Sequence, residues 1–220
     1  MDIYHEKTEA AFGLINKPVS RQDFIDFINS DNPELICAAL INFEGKCPPG
    51  ETKTILSLLK HSDSRIRELS SYFILEYFQK EKTKNIFYNL DYIGFFLGSL
   101  ADKNPSVCRN ISSFIQCFEE SSVLLEKLHK IILENDFYKA YWGLYTLEYI
   151  LTDKKELPEN CIAKLTELLR VSSKSNDYQI REKTAAIVRI LYNDKKIDLE
   201  NIKETLSKDP VFYVRNILSF

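Results

Sequence analysis

Glycine and proline are scarce in this chain, with 6 glycines and 7 prolines among 220 residues. Because both residues interrupt helices, so few of them predict a chain rich in helix. No Gly-x-Gly-x-x-Gly, P-loop or Gly-x-Ser-x-Gly motif occurs, which argues against a glycine-rich phosphate cradle or a nucleophile elbow. The three histidines, His5, His61 and His129, show no metal-binding spacing. We therefore expect no metal, no cofactor and no catalytic residue.

Long apolar runs are also missing. The longest, such as IGFFLG at residues 93–98, fall far short of the roughly 20 residues that a membrane-spanning helix needs. The first 17 residues carry charges throughout, which predicts an amphipathic helix and not a signal peptide. The five cysteines form no Cys-x-x-Cys pair and their number is odd, which is typical of reduced thiols. These features predict a cytoplasmic protein that binds no membrane.

No charge of one sign dominates. The chain has 29 basic and 32 acidic residues, spread evenly, and its pI is near 5.7. A nucleic-acid arm would require a basic segment. We therefore do not expect nucleic acid as the partner.

Apolar residues recur at helical spacing along the chain, as in Leu165, Leu168 and Leu169, and no convincing strand alternation appears. Asn32-Pro33, Asn104-Pro105 and Asp209-Pro210 each place a side-chain acceptor before a proline. That arrangement is typical of a helix start, because an N-cap accepts a backbone N–H and proline at the first helical position loses nothing. Ser20 with Asp23 is a weaker capping arrangement of the same kind.

One helical sequence pattern recurs several times along the chain. DSRIRELSSYF (63–73) returns as NPSVCRNISSF (104–114), and DYQIREKTAAIV (177–188) and VFYVRNILSF (211–220) follow the same frame. Each has a buriable residue, then an arginine, then small residues three or four positions later. The four arginines are Arg67, Arg109, Arg181 and Arg215. An amphipathic segment precedes each copy, so the unit is a pair of helices joined by a short turn.

Two further segments fit this frame with altered markers. DFINSDNPELICAALINF (26–43) keeps the Asn-Pro turn and the small residues but has no arginine. DFYKAYWGLYTLEYI (136–150) aligns without a gap and has Ala140 in the arginine position. The sequence therefore predicts about six units. Because one helix pair cannot bury its own apolar face, the units are expected to stack.

The pattern of helix, Asp-containing turn, aliphatic-Arg step and small residues resembles the HEAT-repeat family of α-solenoids over most of residues 20–220. The resemblance implies an all-α, right-handed α-α superhelix of about six helix pairs, with the second helices lining a concave face. It implies one domain, 1–220, in which residues 1–19 form an N-terminal capping helix. It also implies a structural role between repeats for Arg67, Arg109, Arg181 and Arg215, which would reach the turn acids Asp63, Asp102, Asp177 and Asp209.

Aromatic residues recur at one position of the frame. Tyr72, Phe114 and Tyr145 lie five residues after the arginine position, where the Arg181 unit has Ala186. A second position of the frame, two residues after the arginine, holds Leu69, Ile111 and Trp142. Tyr141 directly precedes Trp142. An exposed row of this kind would provide binding anchors. Tight packing between repeats would instead bury the same row, and the sequence leaves both alternatives open.

These features predict a non-catalytic module that holds a protein or peptide on the concave face. The predicted contacts are Leu69, Tyr72, Ile111, Phe114, Tyr141, Trp142 and Tyr145. No small-molecule substrate is expected. The alternative is a DNA-repair enzyme similar to the HEAT-like alkylpurine DNA glycosylases. That resemblance implies a basic concave surface and a catalytic aspartate, and no aspartate follows Trp142 within the next helical turn. A third possibility, a HEAT-like bilin lyase, depends on the repeats alone.

Overall fold

The computed structural model describes residues 17–118, 121–134, 136–153 and 159–219. Within these residues the chain forms twelve α-helices and no β-strand, so the all-α prediction is confirmed there. The helices are α1 Arg21–Ile28, α2 Pro33–Asn42, α3 Thr52–Leu58, α4 Ser64–Lys80, α5 Ile93–Ser99, α6 Pro105–Ile115, α7 Ser121–Ile132, α8 Phe137–Asp153, α9 Glu159–Ser172, α10 Tyr178–Arg189, α11 Glu200–Ser207 and α12 Phe212–Ile217. Short 3-10 helices precede α3 and α5, and a π-helical turn, Ile190–Asp194, extends α10. Most of the capping helix predicted at residues 1–19 lies outside the described residues.

An Asp or Asn side chain stands at the start of every second helix of a pair. Its oxygen accepts a hydrogen bond from a backbone N–H two or three residues further on, as Asp63 does from Arg65 and Asp177 from Gln179. The six residues are Asn32, Asp63, Asn104, Asp136, Asp177 and Asp209. Because the first N–H groups of a helix have no intrahelical partner, the first five of these side chains determine where their helices begin, whereas Asp209 accepts from Val211, one residue before α12.

The helix starts predicted at the first two Asx-Pro pairs are confirmed, since α2 begins at Pro33 and α6 at Pro105. The third is wrong by two residues. Asp209 accepts a hydrogen bond from the N–H of Val211, which forms an Asx turn around Pro210, and α12 begins only at Phe212. Ser20 caps α1 as predicted, because its hydroxyl oxygen accepts a hydrogen bond from the N–H of Asp23.

The chain divides into two compact units, where the sequence predicted one domain. The first ends at Ser99 and also includes Asn104–Phe114, and the second consists of Leu100–Lys103 and the chain from Ile115 onward. In the first unit α1 packs on α2, α2 on α4, and α3 on α4. Its core includes the stacked rings of Phe24 and Phe43, whose centroids are 4.1 Å apart.

Small residues allow close helix contacts in the first unit. Ser70 and Ser71 of α4 are both fully buried. The Ser70 hydroxyl donates to the carbonyl of Ile55 in α3 (2.9 Å), and Ser71 Oγ accepts from the amide of Asn110 in α6 (3.0 Å). The serine pair therefore connects α4 to two neighbouring helices through hydrogen bonds that a larger apolar side chain would prevent.

The second unit consists of three helix pairs, α7–α8, α9–α10 and α11–α12. The first helices α7 and α9 pack on each other, and the second helices form a neighbouring row in which α8 packs on α10 and α10 on α12. Each pair also packs internally. Equivalent positions of α8, α10 and α12 therefore lie on adjacent helices.

Three of the four frame arginines share one local contact. Arg67, Arg181 and Arg215 each donate to a backbone carbonyl six residues earlier, at His61, Ser175 and Asp209. Arg181 also donates to the Asp209 carboxylate, the acid of the next turn, from Nε (2.5 Å) and Nη2 (3.2 Å). Arg109 is exposed. The arginine therefore stabilises the turn of its own helix pair. Arg181 also connects the α9–α10 pair to the turn of the α11–α12 pair.

Candidate functional site

Helix α8 carries an aromatic residue at every fourth position along one face. These residues are Phe137, Tyr141, Tyr145 and Tyr149, here called the α8 stripe. Because residues four apart lie one above another on a helix, the four side chains follow one face of α8 over about three turns. The seventeen residues of α8 make it one of the two longest helices described.

The rings of the α8 stripe contact one another in two pairs. Phe137 stacks on Tyr141 with centroids 6.0 Å apart, and the rings of Tyr145 and Tyr149 are 5.0 Å apart. The Tyr145 hydroxyl donates a hydrogen bond to the Tyr149 hydroxyl (3.2 Å). These contacts restrict the side-chain rotamers, so a partner that binds here meets a surface that is already ordered.

The α8 stripe faces solvent at both ends. Phe137 is 38% exposed and Tyr149 is 44% exposed, while Tyr141 and Tyr145 are half-buried between them. The adjoining Tyr138 is exposed as well. Contiguous exposed rings are a common feature of interaction sites, because aromatic side chains offer a large contact area with few rotatable bonds.

A basic residue of the neighbouring helix borders the α8 stripe. The Lys183 ammonium of α10 lies 5.1 Å from the centroid of the Tyr145 ring. It also forms an ion pair with Glu148 of α8 (2.9 Å), in which both side chains are mostly buried. The lysine therefore holds Tyr145 through a cation-π contact while its charge is balanced locally.

Two of the three predicted contact residues on α8 are accessible. Tyr141 and Tyr145 belong to the α8 stripe, but Trp142 is only 9% exposed. Its ring makes edge contacts with Tyr141 (5.4 Å) and Tyr145 (5.1 Å). Trp142 is therefore a buried residue that packs against two rings of the stripe. The prediction that it is an exposed contact is wrong.

The residues predicted in the first unit differ in the same way. Tyr72 is 50% exposed and Leu69 is half-buried, so both can meet a partner. Ile111 and Phe114 are fully buried, so the prediction that they are surface contacts is wrong. Phe114 packs edge-on against Phe78 (5.5 Å) and Phe96 (4.8 Å). These rings from α4 and α5 enclose it in the core of the first unit.

Phe137 and Tyr149 were not predicted from the sequence. The spacing of four residues that runs through Tyr141 and Tyr145 indicates them, and comparison between repeats does not reveal it. The aromatic residues that begin successive second helices in the second unit were not predicted either. Phe137, Tyr178 and Phe212 each stand three residues before the arginine position, and all three are exposed.

In the part of the chain that the structure describes, no group of three or more His, Cys, Asp or Glu residues could hold a metal ion. None of the described helices is both long and apolar enough to cross a membrane. No family model matches the chain, and no curated protein sequence matches it.

Proposed function

We propose that the protein is a non-catalytic binding module of HEAT-like repeats that holds a protein or peptide partner through the α8 stripe. The observation that carries this proposal is the partly exposed α8 stripe, in which the ring of Phe137 contacts that of Tyr141 and the ring of Tyr145 contacts that of Tyr149. Aromatic anchors supply a large part of the binding energy at protein interfaces.

The repeat organisation supports the HEAT-like part of the proposal. Six helix pairs, five of them with an Asx-capped second helix and three with an arginine bound to its own turn, fit stacked repeats of one design. Stacked repeats of this kind present extended surfaces made from equivalent positions.

Charge favours a protein over a nucleic acid as the partner. Nucleic-acid surfaces combine aromatic rings with a basic groove that follows the phosphates. Beside the α8 stripe, the ammonium of Lys183 is already paired with Glu148. The turns at the start of α8 and α10 carry Asp136 and Asp177. Phosphate groups would meet carboxylates at that end of the stripe.

Site-specific photo-crosslinking tests the proposal. A benzoyl-phenylalanine introduced at Tyr149 should crosslink a protein from extracts of the source cells, whereas the same probe at Tyr213 should not. Tyr213 is an exposed tyrosine of the same unit outside the stripe. With the captured partner produced in pure form, Tyr149→Ala and Tyr141→Ala should each weaken binding about tenfold or more, which corresponds to about 1.4 kcal/mol.

The controls separate binding from folding and from the DNA alternative. Tyr213→Ala should bind as the wild type does, and all three variants should keep the wild-type melting temperature within a few degrees. Tyr72→Ala, measured alongside, decides whether the first unit also contributes. Unchanged affinity in both stripe variants would refute the proposal. Tight binding to duplex DNA that weakens steeply with salt would favour the DNA-repair alternative.

A further inference from the structure

His129 of α7 lies where the first helices α7 and α9 of the second unit pack on each other. Its side chain is half-buried, and its Nε2 atom is enclosed without a hydrogen-bond partner. Enclosed polar atoms of this kind are rare in folded proteins, because each one loses its hydrogen bonds to water without replacement. The protonation state of His129 therefore matters for the packing of α7 on α9.

The two protonation states of His129 place different groups at the enclosed position. A neutral imidazole has one N–H and can carry it on Nδ1, so that only a lone pair remains at Nε2. The imidazolium has an N–H on both nitrogens, and the one on Nε2 meets no acceptor in this arrangement. A buried charged donor without an acceptor costs more free energy than a buried lone pair. The observed packing therefore suits neutral His129.

The charged groups around His129 do not offset this cost. Those that act on it among the described residues are Lys164 and Glu167 of α9 and Glu126 of α7 itself, and α8, which also packs on α7, contributes none. Lys164 and Glu126 form an ion pair with each other (2.8 Å), and Glu167 is paired with Arg170. Burial, and then the Lys164 ammonium, hold the pKa of His129 below its ordinary value. At neutral pH, His129 is therefore uncharged.

The contact between α7 and α9 is loosely packed beside His129. A pocket of about 160 Å³ lies between the two helices, and His129 lines it together with Leu125, Cys161 and Leu165. This volume is several times the roughly 30 Å³ that one water molecule takes in the liquid. Few contacts are lost when two helices separate at a pocket, so this part of the contact opens most easily. Cys161, which is only 6% exposed, becomes accessible when it opens.

We propose that the contact between α7 and α9 is an acid-sensitive switch, in which protonation of His129 separates the two helices beside the pocket and exposes the Cys161 thiol. Separation hydrates the imidazolium and provides water as the acceptor for its Nε2 N–H. The switch does not depend on which partner the α8 stripe holds. It does reach the helix that carries the stripe, because Gly143 of α8 packs closely on Ile132 of α7.

The direction of the pH effect follows from proton binding. In the open state His129 has an ordinary pKa of about 6.5, whereas in the closed contact its pKa is lower. The open state therefore binds more protons, so the closed state loses stability as the pH falls through about 6.5. The loss stops growing once the pH is below the pKa of the closed state. Each unit by which the closed contact lowers the pKa of His129 can increase the opening equilibrium by about tenfold.

Thiol labelling at different pH values tests the switch. 4,4′-Dithiodipyridine reacts with thiols even in mild acid, and peptide mapping identifies each labelled cysteine. Relative to glutathione at the same pH, labelling of Cys161 in the full-length protein should accelerate by roughly tenfold between about pH 7.5 and about pH 5. Cys37 and Cys108, which are buried in the first unit, should accelerate much less. Equal acceleration of all three thiols would indicate general acid unfolding and overturn the proposal.

Two variants assign the effect to one histidine. His129→Gln keeps a polar side chain but cannot gain a charge, so its Cys161 should show no acceleration in acid. His61→Gln, which replaces a histidine of the first unit, is the matched control and should accelerate as the wild type does. Acceleration that persists in His129→Gln, or that disappears in His61→Gln, would overturn the proposal.

Nuclear magnetic resonance gives a readout that needs no variant. In the ¹⁵N-labelled wild-type protein, the imidazole of His129 should titrate with a midpoint below about 6.5, and the amide signals of Cys161 and Leu165 should shift with the same midpoint. Lys164→Gln removes the like charge, so it should raise this midpoint and reduce the acceleration of Cys161 labelling. An ordinary midpoint for His129, or Cys161 signals that do not follow it, would overturn the proposal.

Discussion

At the scale of single residues, the same side chain has different consequences at equivalent positions. The guanidinium of half-buried Arg181 donates to Ser175 and Asp209, whereas Arg109 is exposed. The hydrogen bonds from Arg181 hold the pKa of Asp209 below its usual range, because they stabilise the ionised carboxylate. Arg181 therefore connects consecutive repeats because the next turn brings an acid within its reach.

Replacing Arg181 by alanine tests this contact. Because Asp209 would remain buried without its partner, we expect Arg181→Ala to lower the free energy of unfolding of the second unit by about 3 kcal/mol at pH 7. An aspartate with a lowered pKa stabilises the fold above its unfolded-state pKa of about 3.9, and that contribution disappears as the pH falls through the lower, folded-state pKa. The difference between wild type and variant should therefore shrink below about pH 4. Urea unfolding at several pH values measures it.

The matched control for that experiment is Arg189→Ala, which removes an exposed arginine from the same helix α10. It should change stability by no more than about 0.5 kcal/mol at any pH. Equal losses in the two variants would show that the buried pair adds nothing beyond the general effect of removing an arginine.

At the scale of helices, contacts between neighbours determine which glycines are required. A Cβ atom built on Gly143 of α8 would lie 2.5 Å from Cγ1 of Ile132 in α7, which is closer than van der Waals contact allows. A Cβ on Gly98 of α5 would meet nothing within 4 Å. The first glycine permits the close approach of α7 and α8, and the second has no such role within the described residues.

Alanine substitution should therefore act with opposite signs at these two positions. Gly143→Ala should lower stability by about 1–3 kcal/mol, because Ile132 is β-branched and cannot move aside without shifting α7. Gly98→Ala should raise stability by about 0.5–1 kcal/mol, because alanine has the better helix propensity and its methyl group meets open space. Thermal and urea unfolding measure both changes. Destabilisation by Gly98→Ala would contradict the open space found around Gly98.

At the scale of the whole molecule, the chain has two compact units, each with buried thiols of its own. Cys37, Cys47 and Cys108 are buried in the first unit and Cys161 in the second, while Cys117 is half-buried. Burial raises the pKa of the Cys37 thiol to about 11 and that of Cys47 to about 12. At neutral pH these thiols are almost entirely protonated and unreactive.

Cysteine labelling should consequently report the unfolding of each unit separately. In native buffer at pH 8, a short pulse of iodoacetamide should modify Cys117 at most. With rising urea, Cys37, Cys47 and Cys108 should become reactive together, and Cys161 should follow the unfolding of its own unit. Peptide mapping by mass spectrometry identifies each site. Fast labelling of Cys47 in native buffer would contradict its burial.

Local features of this fold were accessible from the sequence. The all-α class follows from helical spacing, and the starts of α2 and α6 follow from Asn32 and Asn104, because an Asx cap bonds an N–H only two residues away. Even the error at Asp209 is local, since the Asx turn around Pro210 delays the helix by two residues. Such features depend on neighbours along the chain, which the sequence shows directly.

The exposure of side chains was decided only by tertiary structure. Tyr72, Phe114 and Tyr145 share one position of the repeat, yet Phe114 is enclosed by Phe78 and Phe96 while Tyr72 is half exposed. Ala140 of α8 and Asp177 before α10 likewise line one groove, because α8 packs on α10. Burial and grooves depend on which side chains the neighbouring helices bring into contact, so position in a repeat does not determine them.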